Sequence, residues 1–222
     1  MTVLLLPSPL LPALAYEPLA EAMRRRGRDV RLADGSGPRS GWQMTSRWAR
    51  EARDASLVVA HSNAGYLAPA VRAAARSDAA LVLVDAALPP ADGLTRLAPP
   101  DLRTWLGSLP LDDEGCLPPW TRWWGRDAVR RVVPARLLDE LDAACPRVPL
   151  GYLDSVAVAP RAWSRRRNAY LVMSQAYEDE AGWAEVQGWP VRRLAGTHLH
   201  HLWEPDVVAR AVDDLAGSLE AA

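Results

Sequence analysis

The side chains best suited to chemistry in this chain are a serine on a predicted turn and a small set of histidines. Ser62 lies in the segment Leu57–Gly65, LVVAHSNAG. A serine hydroxyl is a weak nucleophile at neutral pH, and it needs a base within hydrogen-bond reach and a third group that orients the base. The histidines of the chain are at positions 61, 198, 200 and 201. Because His61 adjoins the serine, its side chain should point away from the line of attack, so the base must come from the C-terminal cluster.

The surroundings of Ser62 predict a sharp turn between a strand and a helix. Leu57–Ala60 is a continuous apolar run typical of a buried strand, and Tyr66–Arg76 has a helix-forming composition. Small residues flank the serine on both sides, at Ala60, Ala64 and Gly65. This pattern resembles the nucleophile elbow of α/β-hydrolases, in which the serine projects from the carboxyl edge of the sheet in strained backbone.

A late segment carries the same resemblance. Gly196-x-His198, followed by apolar residues, a proline and a final helical stretch, is similar to the closing segment of α/β-hydrolases. The resemblance implies that Ser62 is the nucleophile and that His198 is its base.

The acid that would orient the base has two candidate positions. Enzymes of the family usually place it after the penultimate strand, where this chain has Glu178 and Asp179. Some lipases of the fold place it at the end of the strand after the nucleophile helix, which here is Asp85. An aspartate at a strand end also commonly forms a loop hydrogen bond. We favour Asp85, with Glu178 as the alternative acid.

The resemblance also implies two backbone N–H groups that hold a tetrahedral oxyanion. Asn63, directly after the serine, supplies the first. The second comes from the loop after the first strand, where many members of the family carry His-Gly and this chain carries Pro7-Ser8-Pro9-Leu10-Leu11. Because proline has no N–H, the donor must be Ser8, Leu10 or Leu11, and we choose Leu10.

The elements that must position these residues alternate between strand and helix. The order β-α-β-α-β-α-β in the first part of the chain, which resumes near the end, indicates a parallel sheet with helices on both faces and ligands at the carboxyl ends of the strands. We therefore predict a single domain over residues 1–222 with the α/β-hydrolase fold and about six strands, mostly parallel. Its core comprises residues 1–88 and 149–222.

Residues 89–148 depart from this alternation. Prolines and tryptophans cluster there, and helical segments look short until Pro134–Ala144. The resemblance implies a lid over the active site, and the alternative is a group of tryptophans packed in the core. Val148–Leu153 is either an edge strand or the return of the lid. The candidate substrate contacts are Ser8, His61, Trp105, Trp120, Trp123 and Trp124.

A zinc site at His198-x-His200-His201 is a rival interpretation of the histidine cluster. It lacks a nearby acidic ligand at a familiar spacing, so we predict neither a metal nor another cofactor. His200 and His201 are otherwise a hydrogen-bonding partner, a contact of the lid or surface residues.

Composition narrows the class of partner. The net charge of −1 gives no indication of a nucleic-acid partner. Met1–Tyr16 is apolar, but prolines interrupt it and no Lys or Arg precedes its apolar run. We therefore interpret it as a strand and loop rather than a signal peptide. No later stretch is apolar enough to predict a membrane span. Cys116 and Cys145 match no redox spacing, and we expect free thiols in a cytoplasmic protein, with a single disulfide between them as the alternative. A homodimer is one option for its assembly.

These residues together predict acyl transfer through Ser62. The tryptophans favour an apolar or aromatic ester, lactone or thioester as the small-molecule substrate, including a carrier-bound acyl group. The short chain and the missing His-Gly pair resemble accessory proteins of natural-product pathways. Two other classes stay open: a non-hydrolytic enzyme of this fold that performs acyl transfer, cyclisation, elimination or a lyase step, and a binding protein on a degenerate hydrolase scaffold.

Overall fold

The strands of the computed structural model, which describes residues 1–37 and 39–220, build the parallel sheet that the alternation predicts. They are β1 Thr2–Leu6, β2 Asp29–Leu32, β3 Leu57–Ser62, β4 Ala80–Ala86, β5 Gly93–Arg96, β6 Val156–Ala159, β7 Asn168–Val172 and β8 Val191–Arg193. Within the described residues, six strands form one parallel sheet in the order β2-β1-β3-β4-β7-β8. The other two, β5 and β6, pair antiparallel in a separate ribbon.

Helices cover both faces of this sheet. They are α1 Glu17–Arg25, α2 Gly41–Glu51, α3 Ala68–Ala74, α4 Pro100–Gly107, α5 Arg126–Val132, α6 Leu138–Ala144, α7 Leu150–Asp154, α8 Glu178–Val186 and α9 Pro205–Glu220. Because β-α-β crossovers are right-handed, the reversal of direction after β2 places α1 on one face and α2 and α3 on the other. The packing agrees, since α1 contacts α9 and α2 contacts α3.

The reversal of direction after β2 also determines where a crevice for a ligand can open at the edge of the sheet. From β1 the chain moves outward to β2 and then returns past β1 to β3, so the connections leaving β1 and β3 diverge to opposite faces. A crevice opens at the carboxyl ends of strands at such a switch point. Strands β3 and β4 are buried along their whole length, which anchors their last residues rigidly at this edge.

The helix after β3 begins later than its sequence indicates. Residues Asn63–Tyr66 form a single 3₁₀ turn, and α3 starts only at Ala68, with Pro69 in its first turn. Proline suits the first turn of a helix because no intrahelical partner is lost there. The serine turn is therefore followed by a tight turn rather than directly by an α-helix.

The connection between β4 and β7 contains α4 to α7 and the β5–β6 ribbon. We predicted Val148–Leu153 as an edge strand or the return of the lid, and the prediction of a strand is wrong. Residues Leu150–Asp154 form α7, and Pro149 makes only an isolated bridge with Cys116. An ion pair joins α4 and α7 within this connection, because the Arg103 guanidinium donates to both carboxylate oxygens of Asp154 at 2.8 and 2.7 Å.

Two further sequence expectations concern the thiols and the membrane. Cys116 and Cys145 are both free. Among the helices of the described residues, none combines the length and the apolar character that crossing a bilayer requires.

Candidate active site

Ser62 ends β3 in strained backbone. Its φ of 58° and ψ of −130° lie in a region that residues other than glycine rarely adopt. The chain packs closely behind this turn, so that a Cβ on Gly65 would lie 2.1 Å from the carbonyl oxygen of Ala87. The small residue at position 65 therefore allows the turn that lifts the Ser62 side chain above the sheet edge.

His198 faces this hydroxyl from the other side of the crevice. It lies in the loop between β8 and α9, and its Nε2 is 3.0 Å from the Ser62 Oγ. The histidine is buried to a large extent but keeps 17% of its side chain exposed. It can therefore exchange a proton with the serine hydroxyl and remain within reach of solvent or substrate.

Asp85 completes the hydrogen-bonded chain. It lies at the end of β4 with a φ of 43°, and its Oδ2 is 2.8 Å from the Nδ1 of His198. The carboxylate is fully buried and also accepts from the backbone N–H groups of Met173 and Ser174 at 2.7 and 2.9 Å and from the Ser174 hydroxyl. These donors fix the carboxylate, which in turn requires the His198 proton on Nδ1 and leaves Nε2 free to accept from Ser62.

The structure does not bring the alternative acid to the histidine. Glu178 lies at the start of α8, where its carboxylate pairs with Arg193 at 3.2 Å. His200 likewise takes no part in the chain, and its Nε2 lies 4.0 Å from Glu204.

The backbone N–H groups of the loop after β1 differ in the hydrogen bonds that they already make. The N–H of Ser8 donates to the Tyr16 hydroxyl at 2.8 Å, and that of Leu11 donates to the Ser8 carbonyl at 3.1 Å. Leu10 keeps only a long contact of 3.4 Å with the Ser8 Oγ, and it lines the cavity next to Ser62. Of the three donors that the sequence leaves open, Leu10 has the longest existing hydrogen bond and belongs to a residue of the cavity wall.

Asn63, the other expected donor, is held by its side chain. The amide nitrogen donates to the Leu97 carbonyl at 2.6 Å, and the amide oxygen accepts from the Tyr152 hydroxyl at 2.9 Å. These bonds join the residue after the serine to the connection between β4 and β7, and so fix its backbone at the start of the 3₁₀ turn.

A cavity of about 560 Å³ opens over Ser62 and His198. Its walls are mainly apolar and include Leu10, Leu97, Leu102, Trp120, Trp123, Trp124, Val129, Val132 and Tyr177. Trp105 was expected among the substrate contacts, but it stacks on Trp124 at 5.6 Å and is not part of the wall. Trp120 and Trp123 are buried, so the two interpretations of the tryptophans, core and cavity wall, both apply to them.

Two other expected substrate contacts are corrected by their burial. Ser8 and His61 have 0% and 1% of their surface exposed, and neither lines the cavity. Ser8 is enclosed by the bonds of its own loop. His61 lies below His198, with ring centroids 4.6 Å apart.

Two residues of the cavity wall, Tyr177 and Glu180, were not predicted as site residues, and His201, for which a surface position was one alternative, is fully buried. The Tyr177 ring stacks on the imidazole of His198 with centroids 5.0 Å apart, and burial raises the pKa of its hydroxyl. Burial lowers the pKa of His201 to about 3, with the neighbouring His198 as the second cause. Burial also raises the pKa of Glu180, a carboxylate in the cavity wall. Tyr177 and Glu180 follow β7, and their position after the carboxyl end of a strand is the signal that could have found them.

The histidine cluster does not form a metal site in the part of the chain that the structure describes. No group of three or more His, Cys, Asp or Glu side chains is arranged there to hold an ion. His198 instead uses both ring nitrogens within the hydrogen-bonded chain.

Comparisons with known proteins find similarity at the level of structure. No protein-family model and no curated protein sequence matches the chain. An extracellular α/β-hydrolase from a Paenibacillus species, described as sharing structural and functional homology with tobacco salicylic acid binding protein 2, is similar with a TM-score of 0.70 and 14% identity over 97% of this chain and 98% of the other. Polyneuridine aldehyde esterase is similar with a TM-score of 0.71 and 12% identity over 97% of this chain and 98% of the other. Tomato methylketone synthase I complexed with 2-tridecanone is similar with a TM-score of 0.70 and 13% identity over 98% of both chains.

The sheet order, the serine turn and these similarities define the architecture. The chain has the α/β-hydrolase fold, as its sequence predicts. The similarity extends over nearly the whole chain, including the connection between β4 and β7.

Proposed function

We propose that the protein is a serine hydrolase that cleaves an apolar or aromatic ester, lactone or thioester through an acyl-enzyme on Ser62. The observation that carries the proposal is the continuous chain from Asp85 through His198 to Ser62, with contacts of 2.8 and 3.0 Å. Such a chain lets a neutral imidazole remove the hydroxyl proton while the carboxylate stabilises the imidazolium that forms.

Each step has a residue that performs it. The Ser62 Oγ attacks the carbonyl carbon and gives its proton to the His198 Nε2, and the resulting oxyanion accepts from the N–H groups of Asn63 and Leu10. When the tetrahedral intermediate collapses, His198 returns the proton to the leaving alkoxide or thiolate. Water then attacks the acyl-enzyme with His198 as its base, and the acid product leaves with Ser62 restored.

The cavity supports an apolar acyl or alcohol group. Its volume of about 560 Å³ is within the range of small-molecule sites, and tryptophan and leucine side chains dominate its wall. The solved complex of tomato methylketone synthase I with 2-tridecanone supports the same substrate character, because that ligand is a long alkyl ketone. We propose that residues 89–148 act as the lid, since Trp120, Trp123 and Trp124 from this segment roof the cavity.

The free thiols of Cys116 and Cys145 support a cytoplasmic location. Reducing conditions would keep both in the state that the structure has.

Labelling with a fluorophosphonate probe tests the nucleophile. We expect the wild type to be labelled and Ser62→Ala to be unlabelled, with labelling mapped to the peptide that contains Ser62. Absence of labelling under conditions in which a known serine hydrolase reacts would refute the nucleophile and favour a binding protein.

A panel of p-nitrophenyl esters from acetate to decanoate tests the reaction. Hydrolysis should depend on Ser62 and should improve in kcat/KM with chain length. If the probe labels Ser62 but no ester or thioester is hydrolysed, the nucleophile is present and the reaction is of the non-hydrolytic class.

A further inference from the structure

A buried line of hydrogen bonds runs behind His198 and joins the two loops that meet at the site. The Ser8 N–H donates to the Tyr16 hydroxyl at 2.8 Å, and that hydroxyl lies 2.9 Å from the Nδ1 of His61. The Nε2 of His61 then lies 2.9 Å from the backbone carbonyl oxygen of His198. Tyr16 and His61 are almost completely buried, and neither belongs to the wall of the cavity.

Only one placement of protons satisfies this line. The His198 carbonyl can only accept, so the Nε2 of His61 must carry a proton. Burial, with His198 and His201 as neighbours, lowers the pKa of His61 well below its usual value, so the ring is neutral and its Nδ1 is an acceptor. The Tyr16 hydroxyl, which already accepts from Ser8, therefore donates to that nitrogen.

The line acts on both halves of the catalytic machinery. At one end it ties down the loop that carries Leu10, the oxyanion donor of the proposed mechanism. At the other end it holds the backbone of His198, whose ring also packs against the His61 ring with 29° between their planes. A neutral ring at this place avoids repulsion of the imidazolium that forms on His198.

We propose that Tyr16 and His61 are positioning residues that hold the Leu10 loop and the His198 loop at a fixed separation. This inference rests on the proposed serine hydrolase function. Neither residue touches substrate; both act through the atoms of the residues that do.

Nitrogen NMR of the histidines tests the line without requiring activity. The chain has four histidines, and the His61 resonances are identified by their loss in His61→Gln. We expect His61 to keep its proton on Nε2 between about pH 5 and pH 8, and Tyr16→Phe to shift its Nδ1 resonance. A His61 that titrates in this range, or that carries its proton on Nδ1, would overturn the proposal.

Kinetics then tests positioning. Tyr16→Phe and His61→Gln should each lower kcat for p-nitrophenyl acetate by up to about 100-fold with little change in KM, because the reacting groups lose their alignment. The double variant should be no slower than the slower single variant, since both substitutions break one line. The positioning role would be contradicted if the fold reductions in kcat of the two single variants multiplied in the double variant, or if kcat were unchanged in the folded single variants. His61→Asn is the second variant if His61→Gln does not fold.

A control separates positioning from loss of stability. Met23 is buried in α1, so Met23→Ala should lower the melting temperature but leave kcat unchanged at a temperature where the protein is folded. If the wild type is not labelled by the fluorophosphonate, the function proposal fails, and the His198 resonances decide the inference. They should shift in both Tyr16→Phe and His61→Gln, and unchanged resonances would overturn it.

Discussion

Gly65 approaches Ala87 so closely that the two backbones leave no room for a methyl group. A Cβ at Gly65 would meet the Ala87 carbonyl oxygen at 2.1 Å and the Ala86 Cβ at 2.9 Å. Neither neighbour can move freely, because Ala86 is the last residue of the central strand β4 and Ala87 follows it directly. This contact sets how tightly the chain turns after Ser62, and hence where the Asn63 N–H points.

Gly65→Ala should therefore damage both stability and activity. We expect a loss of about 1–3 kcal/mol in the free energy of unfolding, typical of overpacking, and a fall in the labelling rate of Ser62. The control is Gly217→Ala in α9, where a Cβ meets nothing within 4 Å and the better helix former should stabilise by up to about 1 kcal/mol. Urea unfolding measures both. Equal behaviour of the two variants would show that the close approach is relaxed at little cost.

Asp85→Asn should decide between the two candidate acids. The amide can still accept from Met173 and Ser174, but its NH₂ group would favour the wrong tautomer of His198. We expect kcat to fall by a factor on the order of 10⁴. Glu178→Gln, which removes only an exposed ion pair with Arg193, should leave kcat within about twofold. The reverse ranking of the two variants in ester hydrolysis would return Glu178 to the role of acid.

Trp124→Ala should change selectivity for chain length rather than chemistry. Trp124 contributes to the cavity wall, so its removal should raise KM for a long acyl ester about tenfold through lost apolar contact and leave the acetate ester nearly unchanged. Trp42→Ala is the matched control, since Trp42 is 73% exposed and lies outside the wall. Equal effects on short and long esters would argue against a substrate-binding role.

The buried His201 should make stability depend on pH. Its pKa is lowered to about 3 in the folded protein, whereas an unfolded histidine has a pKa of about 6.5. The unfolded state therefore binds the extra proton first, so the contribution is fully present above about pH 6.5 and is lost as the pH falls toward 3. The loss for this group is about 2 kcal/mol at pH 5.

His201→Phe should flatten that dependence. Urea unfolding at pH 5 and pH 8 should show a difference between the two pH values that is about 2 kcal/mol smaller than in the wild type, whatever the change in absolute stability. His201→Leu provides a second apolar replacement if the larger ring does not fit. An unchanged pH dependence in the folded variants would mean that folding does not lower the pKa of His201.

The local part of the site could be predicted from the sequence. The apolar run before Ser62 and the small residues after it specify a buried strand and a tight turn, because strand burial and backbone crowding depend on residues near each other in the chain. The spacing of His198 after Gly196 and the alternation of strands and helices likewise predict the fold. The candidate residues could therefore be identified from patterns among residues that are close together in the sequence.

Partnership between distant residues was decided only by the tertiary structure. Asp85 lies at the end of one strand and Glu178 comes after another, but the sheet order and the donors on Met173 and Ser174 bring Asp85 to His198, while Glu178 pairs with Arg193. Burial of His61 likewise became visible only when separate elements closed over it. The sequence by itself determined the strand, turn and helix that present each side chain; which of those side chains meet depended on how the sheet orders its strands, since contacts across long chain separations leave no local pattern.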